Sequence, residues 1–229
     1  MVPSDRLPLA EQYAALLATD GVVRGLIGPR EAPRLWERHL VNCALLGELV
    51  PDDSTVCDIG SGAGLPGLVL AIARPDLRLT LVEPLLRRTT FLQEATERLG
   101  LGNVEVVRGR AEALHGERTF DVVTSRAVAP LGRLLGWSMP LVAPTGVLLA
   151  MKGSSVTEEI EEARADLERW GCDEPVVHVL GDDLVPVPTY ALQVAWDDPA
   201  QVSWPLAADG GSRGSRAGRG RRAKRRRRA

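Results

Sequence analysis

The spacing of hydrophobic positions changes near residue 54. Upstream, Leu9, Tyr13, Leu16 and Leu17 recur at helical spacing, as do Leu35, Trp36, Leu40, Cys43, Ala44 and Leu46, so residues 7–50 read as packing helices. Downstream, short aliphatic runs at Thr55–Ile59, Arg78–Val82, Val104–Val107, Phe120–Thr124, Val147–Met151, Val176–Leu180 and Tyr190–Trp196 read as strands. Longer amphipathic segments at Pro66–Ala73, Leu86–Leu99, Leu131–Pro140 and Val156–Trp170 lie between them. Strands alternating with helices predict an α/β fold with a parallel sheet covered on both faces. The connection GDDLVPVPTY is too short for a crossover helix, so the last two strands should pair antiparallel at the sheet edge. The expected architecture is a Rossmann-like seven-stranded sheet, last strand antiparallel, over residues 51–204, with an N-terminal helical extension over 1–50 packed on it.

Composition alters this picture in one place. Across 229 residues, 45% hydrophobic and 25% charged residues are ordinary for a globular chain, and the formal charge is −2. From Pro205 to Ala229, however, there are ten Lys/Arg and one acid, so this tail carries about +9 and the remainder about −11. With almost no apolar content to offset ordering entropy, residues 205–229 are expected to be disordered in isolation. Cys43, Cys57 and Cys172 lie far apart with no CxxC pair, which indicates neither a disulfide scaffold nor a zinc site, and no metal is expected. No apolar run approaches the roughly 20 residues of a membrane span. The start MVPSDRLPLAEQ lacks a signal peptide's basic and apolar blocks. The expectation is a cytoplasmic protein with no membrane contact, monomeric by default.

The most informative segment is Val56-Cys57-Asp58-Ile59-Gly60-Ser61-Gly62-Ala63-Gly64-Leu65-Pro66-Gly67. A buried strand runs into a turn whose glycines let the backbone approach a ligand, and Pro66 suits the first turn of a following helix. Gly62-x-Gly64-x-x-Gly67 formally satisfies the dinucleotide pattern, with Glu83 downstream as the acid. Two details favour S-adenosylmethionine. Asp58 can organise the loop and face a ligand ammonium, directly or through water, whereas a pyrophosphate would be repelled. The glycines also begin directly after the strand, leaving an open loop in place of a phosphate-clamping helix start.

Further candidates sit at the ends of the other strands. Glu83, closing the second, can accept both ribose hydroxyls of an adenosine. Ala111 and Glu112, after the third, can border an adenine amino group. Asp121 opens the fourth strand and reads equally as a cap. Arg126, in Ser125-Arg126-Ala127, falls on the ligand-binding edge of an open α/β sheet.

Together, Asp58–Gly67, Arg87-Arg88-x-x-Phe91-Leu92, Ser125-Arg126-Ala127, Lys152-Gly153 and the upstream Glu37-Arg38-His39-Leu40 resemble the bacterial small-subunit rRNA guanine-N7 methyltransferases, the RsmG or GidB group. The resemblance spans roughly residues 30–170 in matching order. It implies a class I S-adenosylmethionine-dependent methyltransferase fold and methylation of guanine N7 in the decoding-region hairpin of 16S rRNA, on rRNA or the small subunit. It also implies cofactor contacts at Gly60, Leu65, Ala111, Glu112 and Arg126. Asp58, Gly62, Gly64 and Glu83 join that set from the general geometry of such folds. His39 and Arg126 are the candidate catalytic side chains, acting by positioning. Val41-Asn42-Cys43 departs from the Leu-Asp-Ser that many members carry, so Asn42 keeps hydrogen bonding there without the charge.

An acidic body is poorly suited to holding a polyanion. Lys152, and Arg221, Arg222, Lys224, Arg225 and Arg226 in the tail, are the candidate RNA contacts, the tail through salt-sensitive phosphate neutralisation. Two other classes fit fewer residues. A NAD-dependent oxidoreductase rests on the glycine pattern and a downstream acid alone. A non-enzymatic RNA-binding protein leaves the Asp58–Gly67 turn unexplained.

Overall fold

The computed structural model describes residues 2–181, 185 and 188–202. The tail, with Arg221, Arg222, Lys224, Arg225 and Arg226, lies outside the described residues. The strands are β1 (Thr55–Ile59), β2 (Arg78–Glu83), β3 (Val104–Arg108), β4 (Phe120–Arg126), β5 (Val142–Lys152), β6 (Val176–Leu180) and β7 (Thr189–Ala195). They form one sheet in the order β3-β2-β1-β4-β5-β7-β6. The first five are parallel, and β7 runs antiparallel between β5 and β6. The expected seven-stranded sheet with its last strand reversed is therefore what the chain builds.

Alternation along the strands divides the apolar side chains into two layers. Val56, Leu79, Leu81, Val122, Leu149 and Met151 pack with the N-terminal segment and with α3 (Gly67–Ala73) and α4 (Leu86–Arg98). Cys57, Ile59, Val82, Val123, Leu148 and Ala150 pack on the other face with α5 (Leu131–Ser138), α6 (Val156–Glu162) and α7 (Arg164–Trp170). This parity decides which layer each strand-end functional residue meets.

The N-terminal segment is less continuous than its periodicity suggests. Helix α1 covers Leu7–Leu16 and runs into a wide π turn at Leu17–Gly21. A second π turn, Trp36–Leu40, leads into α2 (Val41–Leu46), with Val41 N–H donating to Trp36 O five residues back. Strand β5 begins five residues earlier than the aliphatic run because Pro144 and Gly146 mask it. A Cβ on Gly146 would stand 2.7 Å from Asp121 O and 2.8 Å from Phe120 O, beside the irregular register between β4 and β5. The single helix expected over 156–170 breaks at Ala163, which has φ −96° and ψ 5° and no Gly or Pro to announce it.

Candidate active site

The glycine turn leaves β1 with Gly60 N–H donating to Val82 O at 2.8 Å, which binds the turn to the neighbouring strand. Gly60 has φ +69°, and a Cβ there would press Val128 Cγ2 at 3.0 Å. Gly67 is required for packing: its Cβ would lie 2.3 Å from Leu81 Cδ2 and 2.7 Å from Asp58 Oδ2. Helix α3 starts at Gly67, with Pro66 as its cap and not inside its first turn.

Above this turn opens a cavity of about 720 Å³, within the range of small-molecule sites. Gly60, Gly62, Leu65, Glu83, Ala111, Glu112 and Arg126, all expected to contact cofactor, line it, and so does His39. Asp58 and Gly64 do not. Asp58 shares Val56's face of β1 and lies beneath the loop, fully buried, with Oδ2 accepting from Gly67 N–H at 3.0 Å. The expected organising of the loop by Asp58 is present, while its carboxyl does not itself border the cavity. Burial pushes its carboxyl up to about 7 despite that hydrogen bond, and Oδ1 has no partner among the described residues. Gly64 likewise turns away from the cavity, toward Leu68 and the Tyr13 hydroxyl.

Glu83 is also buried, 1% exposed, yet borders the cavity. Its Oε2 accepts from Gly62 N–H and its Oε1 from Leu85 N–H, both at 3.0 Å, and Arg88 Nη1 stands 3.4 Å from Oε2. A carboxylate offers about four lone-pair sites, so capacity remains for ligand hydroxyls.

Arg126 is the last residue of β4 and, by parity with Val122, faces the N-terminal layer. Its Nη2 donates to His39 Nδ1, and its Nη1 to Cys43 Sγ at 3.5 Å. A guanidinium only donates, so His39 Nδ1 carries the lone pair and Nε2–H donates to Glu31 Oε2 at 3.1 Å. Burial first, and then Arg126, hold the His39 pKa below its ordinary value, which keeps the bridging imidazole neutral. The histidine comes from the π turn Trp36–Leu40, a geometry often found at functional positions.

Beyond Arg126 lies a second cavity of about 680 Å³, which shares Arg126, Ala127 and Val128 with the first. Ala127 holds φ +53°, a conformation uncommon for a residue with a side chain. Lys152, the candidate RNA contact at the end of β5, lines this cavity as a largely buried, paired cation. Its side chain is 8% exposed, and its ammonium donates to Glu159 Oε2 at 2.6 Å and to Ala129 O at 3.1 Å. Asn42 also lines the cavity and donates to Arg38 O at 3.3 Å. Asp121 sits at the opposite end of the sheet, accepting from Thr55 N–H and Oγ1, and is a strand cap; those hydrogen bonds hold its carboxyl below the usual range.

Three residues here carried little sequence signal. Tyr13 reads as one more apolar position of α1, but its hydroxyl donates to Ala63 O at 2.7 Å and fastens the glycine turn from the N-terminal layer. Glu31 precedes the helical pattern. Arg88 follows the Glu83 strand, and the motif containing it was the available clue. Among the described residues no group of His, Cys, Asp and Glu could hold a metal ion, and no helix is long and apolar enough to cross a membrane.

Comparison with known proteins places this geometry in context. The family profile GidB, rRNA small subunit methyltransferase G, matches residues 6–183. A Nocardioides protein named ribosomal RNA small subunit methyltransferase G is 67% identical over 227 residues, covering 98% of this chain and 91% of its own. One of the same name from Salinispora tropica is 58% identical over 198 residues, covering 83% of this chain and 82% of its own. Among solved structures, the precorrin-6y C5,15-methyltransferase of Geobacter metallireducens superposes with TM-score 0.52 at 18% identity, over 75% of this chain and 90% of that one. The ribosomal protein L11 methylase of Lactobacillus delbrueckii subsp. bulgaricus gives TM-score 0.52 at 13% identity, over 67% and 76%. These two likenesses concern the fold alone.

Proposed function

The chain belongs to the rRNA small subunit methyltransferase G family, and from that premise we propose that it moves a methyl group from S-adenosylmethionine to N7 of a guanine in the decoding-region hairpin of 16S rRNA. The observation that carries this reading is the meeting of two cavities of similar size at Arg126, Ala127 and Val128. One is suited to a nucleoside donor and the other to an acceptor base.

The residues around the first cavity fit the cofactor. Glu83 would take the ribose hydroxyls, Leu65 and Ala111 would flank the adenosine, and Glu112 would border its amino group. S-adenosylmethionine, when bound, supplies a methyl group on a cationic sulfur that keeps the bonding electron pair when the methyl departs. Guanine N7 has a lone pair at neutral pH, so it forms the new N–C bond without prior loss of a proton and the base acquires the positive charge. No general base is needed, which suits a shared wall whose nearby imidazole is engaged by Arg126 and Glu31. The work left to the chain is positioning: Arg126, fixed by His39 and Cys43, holds the rim where the two cavities meet and where donor and acceptor would come into contact.

The Lys/Arg-rich residues 205–229 would add long-range attraction to RNA phosphates without choosing the guanine. Deleting them should weaken RNA binding and flatten its salt dependence while leaving the modified position unchanged; an unaltered salt slope contradicts that role. The reaction itself is tested by incubating the full chain with methyl-labelled S-adenosylmethionine and small ribosomal subunits, then digesting the rRNA to nucleosides. Label in 7-methylguanosine is expected. Label in any other nucleoside, or none in RNA, overturns the assignment.

A further inference from the structure

We propose that the second cavity reads the acceptor base and that Glu159 is its specificity-determining residue, accepting hydrogen bonds from guanine N1–H and the N2 amino group. The inference rests on the N7-guanine chemistry above and goes beyond it by assigning the recognition of the base.

A methyl acceptor must reach near-attack distance of the donor, which places N7 at the wall the two cavities share. In the guanine ring system N7 and the N1/N2 edge lie on opposite sides. A base presenting N7 to Arg126–Val128 therefore turns its N–H donors to the rest of the cavity. That remaining lining offers apolar surface from Leu134 and Met151 and the carboxylates of Glu159 and Glu162 from α6.

Of those two carboxylates, Glu159 is the one held in place. Lys152 Nζ donates to its Oε2 at 2.6 Å and also to Ala129 O at 3.1 Å, so the ammonium that orients Glu159 is itself tied to the loop after β4. The Glu159 side chain is 24% exposed, and its Oε1 takes no hydrogen bond from the described residues. The ammonium offsets the carboxylate's charge, which lowers the cost of holding it in the cavity wall, and leaves the second oxygen to accept from a ligand.

The chemistry selects guanine. Adenine presents a lone pair at N1 and would face the carboxylate unfavourably, and hypoxanthine keeps N1–H but lacks the amino group. The same carboxylate interacts more strongly as the base becomes cationic during methyl transfer, so recognition and rate share one contact.

The test uses the full chain with small subunits carrying either guanosine or inosine at the methylated position, once that position has been mapped. Wild-type enzyme should favour guanosine by at least about tenfold in kcat/KM, since a site built to bind a substrate N–H discriminates against the analogue lacking it. Glu159→Gln should lower kcat/KM on guanosine by about tenfold or more and narrow the guanosine-to-inosine ratio to about twofold, with calorimetric affinity for S-adenosylmethionine unchanged. Tm should fall because Lys152 loses its charge partner, so the guanosine-to-inosine ratio, which a stability loss does not move, is the readout. Equal use of inosine and guanosine by the wild type overturns the proposal and needs no variant. A Glu159→Gln loss of the same size on both substrates also overturns it, because that result belongs to a structural pin. Absence of 7-methylguanosine with wild-type enzyme is a separate outcome, which removes the underlying N7 chemistry.

Discussion

The cavity above the glycine turn and the cavity beyond Arg126 are close in volume, about 720 and 680 Å³, but they are built from different materials. The first is lined by the chain leaving the ends of β1, β2 and β3, including Gly60, Gly62, Glu83 and Glu112, and is completed by Ile27, His39, Arg126 and Trp137 from elsewhere in the chain. Its carboxylate is locked by two backbone N–H groups. The second gathers Asn42, the β4–α5 loop, Lys152, Glu159 and Tyr190 from five separate stretches of chain, and its ion pair is formed by side chains alone. Both cavities are assembled by tertiary packing; what separates them is how a carboxylate is held, Glu83 by backbone N–H groups of the glycine turn and of the loop that follows it, Glu159 by a lysine side chain from β5.

Arg126 stands where the two meet, and its removal should have the largest effect. Arg126→Ala is expected to lower kcat/KM for methyl transfer by about 100-fold or more, the scale of a misplaced reacting pair, with little change in Tm. Wild-type turnover in a folded variant would remove Arg126 from the shared wall. The next substitution separates the cavities. Glu83→Gln should weaken S-adenosylmethionine binding by about tenfold, as expected when a charged acceptor becomes neutral, while the KM for RNA stays constant. A matched rise in RNA KM would mean that the two halves are not independent.

Tyr13→Phe tests whether the N-terminal layer supports the first cavity specifically. Loss of the hydrogen bond to the buried Ala63 carbonyl should cost about 1–2 kcal/mol in urea denaturation and loosen cofactor binding without altering guanosine preference. Unchanged stability would reduce Tyr13 to packing.

The smallest effect concerns Asp58, and its direction is specific. Its carboxyl is pushed up to about 7 in the folded chain from an ordinary 3.8, so between those values the folded state binds more protons than the unfolded state. Its contribution to stability is therefore most favourable below about pH 4 and declines as pH rises through about 7. Asp58→Asn, which can still accept from Gly67 N–H, should raise Tm relative to wild type by a few degrees at pH 8 and by less at pH 5. A larger gain at pH 5 would contradict the buried carboxyl as the cause.

The same contrast explains what could be read from the chain before its structure. The strand Thr55–Ile59, the glycines after it and Glu83 are legible because strand, turn and acid follow one another at short range. The loop-organising role of Asp58 is legible from its place before the glycines, but its depth beneath the turn is not, since Glu83 and Arg126 share its face of the sheet and border the cavity. Lys152 was recognisable as a strand-end cation, but its pairing with Glu159 depends on how α6 packs over the end of β5. His39, itself bonded to Glu31, reaches Arg126 from a π turn, and no periodicity in the sequence announces that turn.

The central claim is that donor and acceptor occupy neighbouring cavities that meet beside Arg126–Val128. A crystal structure of the chain with S-adenosylhomocysteine tests it most directly. The account predicts ribose hydroxyls on Glu83 and a sulfur facing Arg126–Val128, with the second cavity open beside it. A ligand seated away from Glu83, or a sulfur turned from that wall, would contradict it.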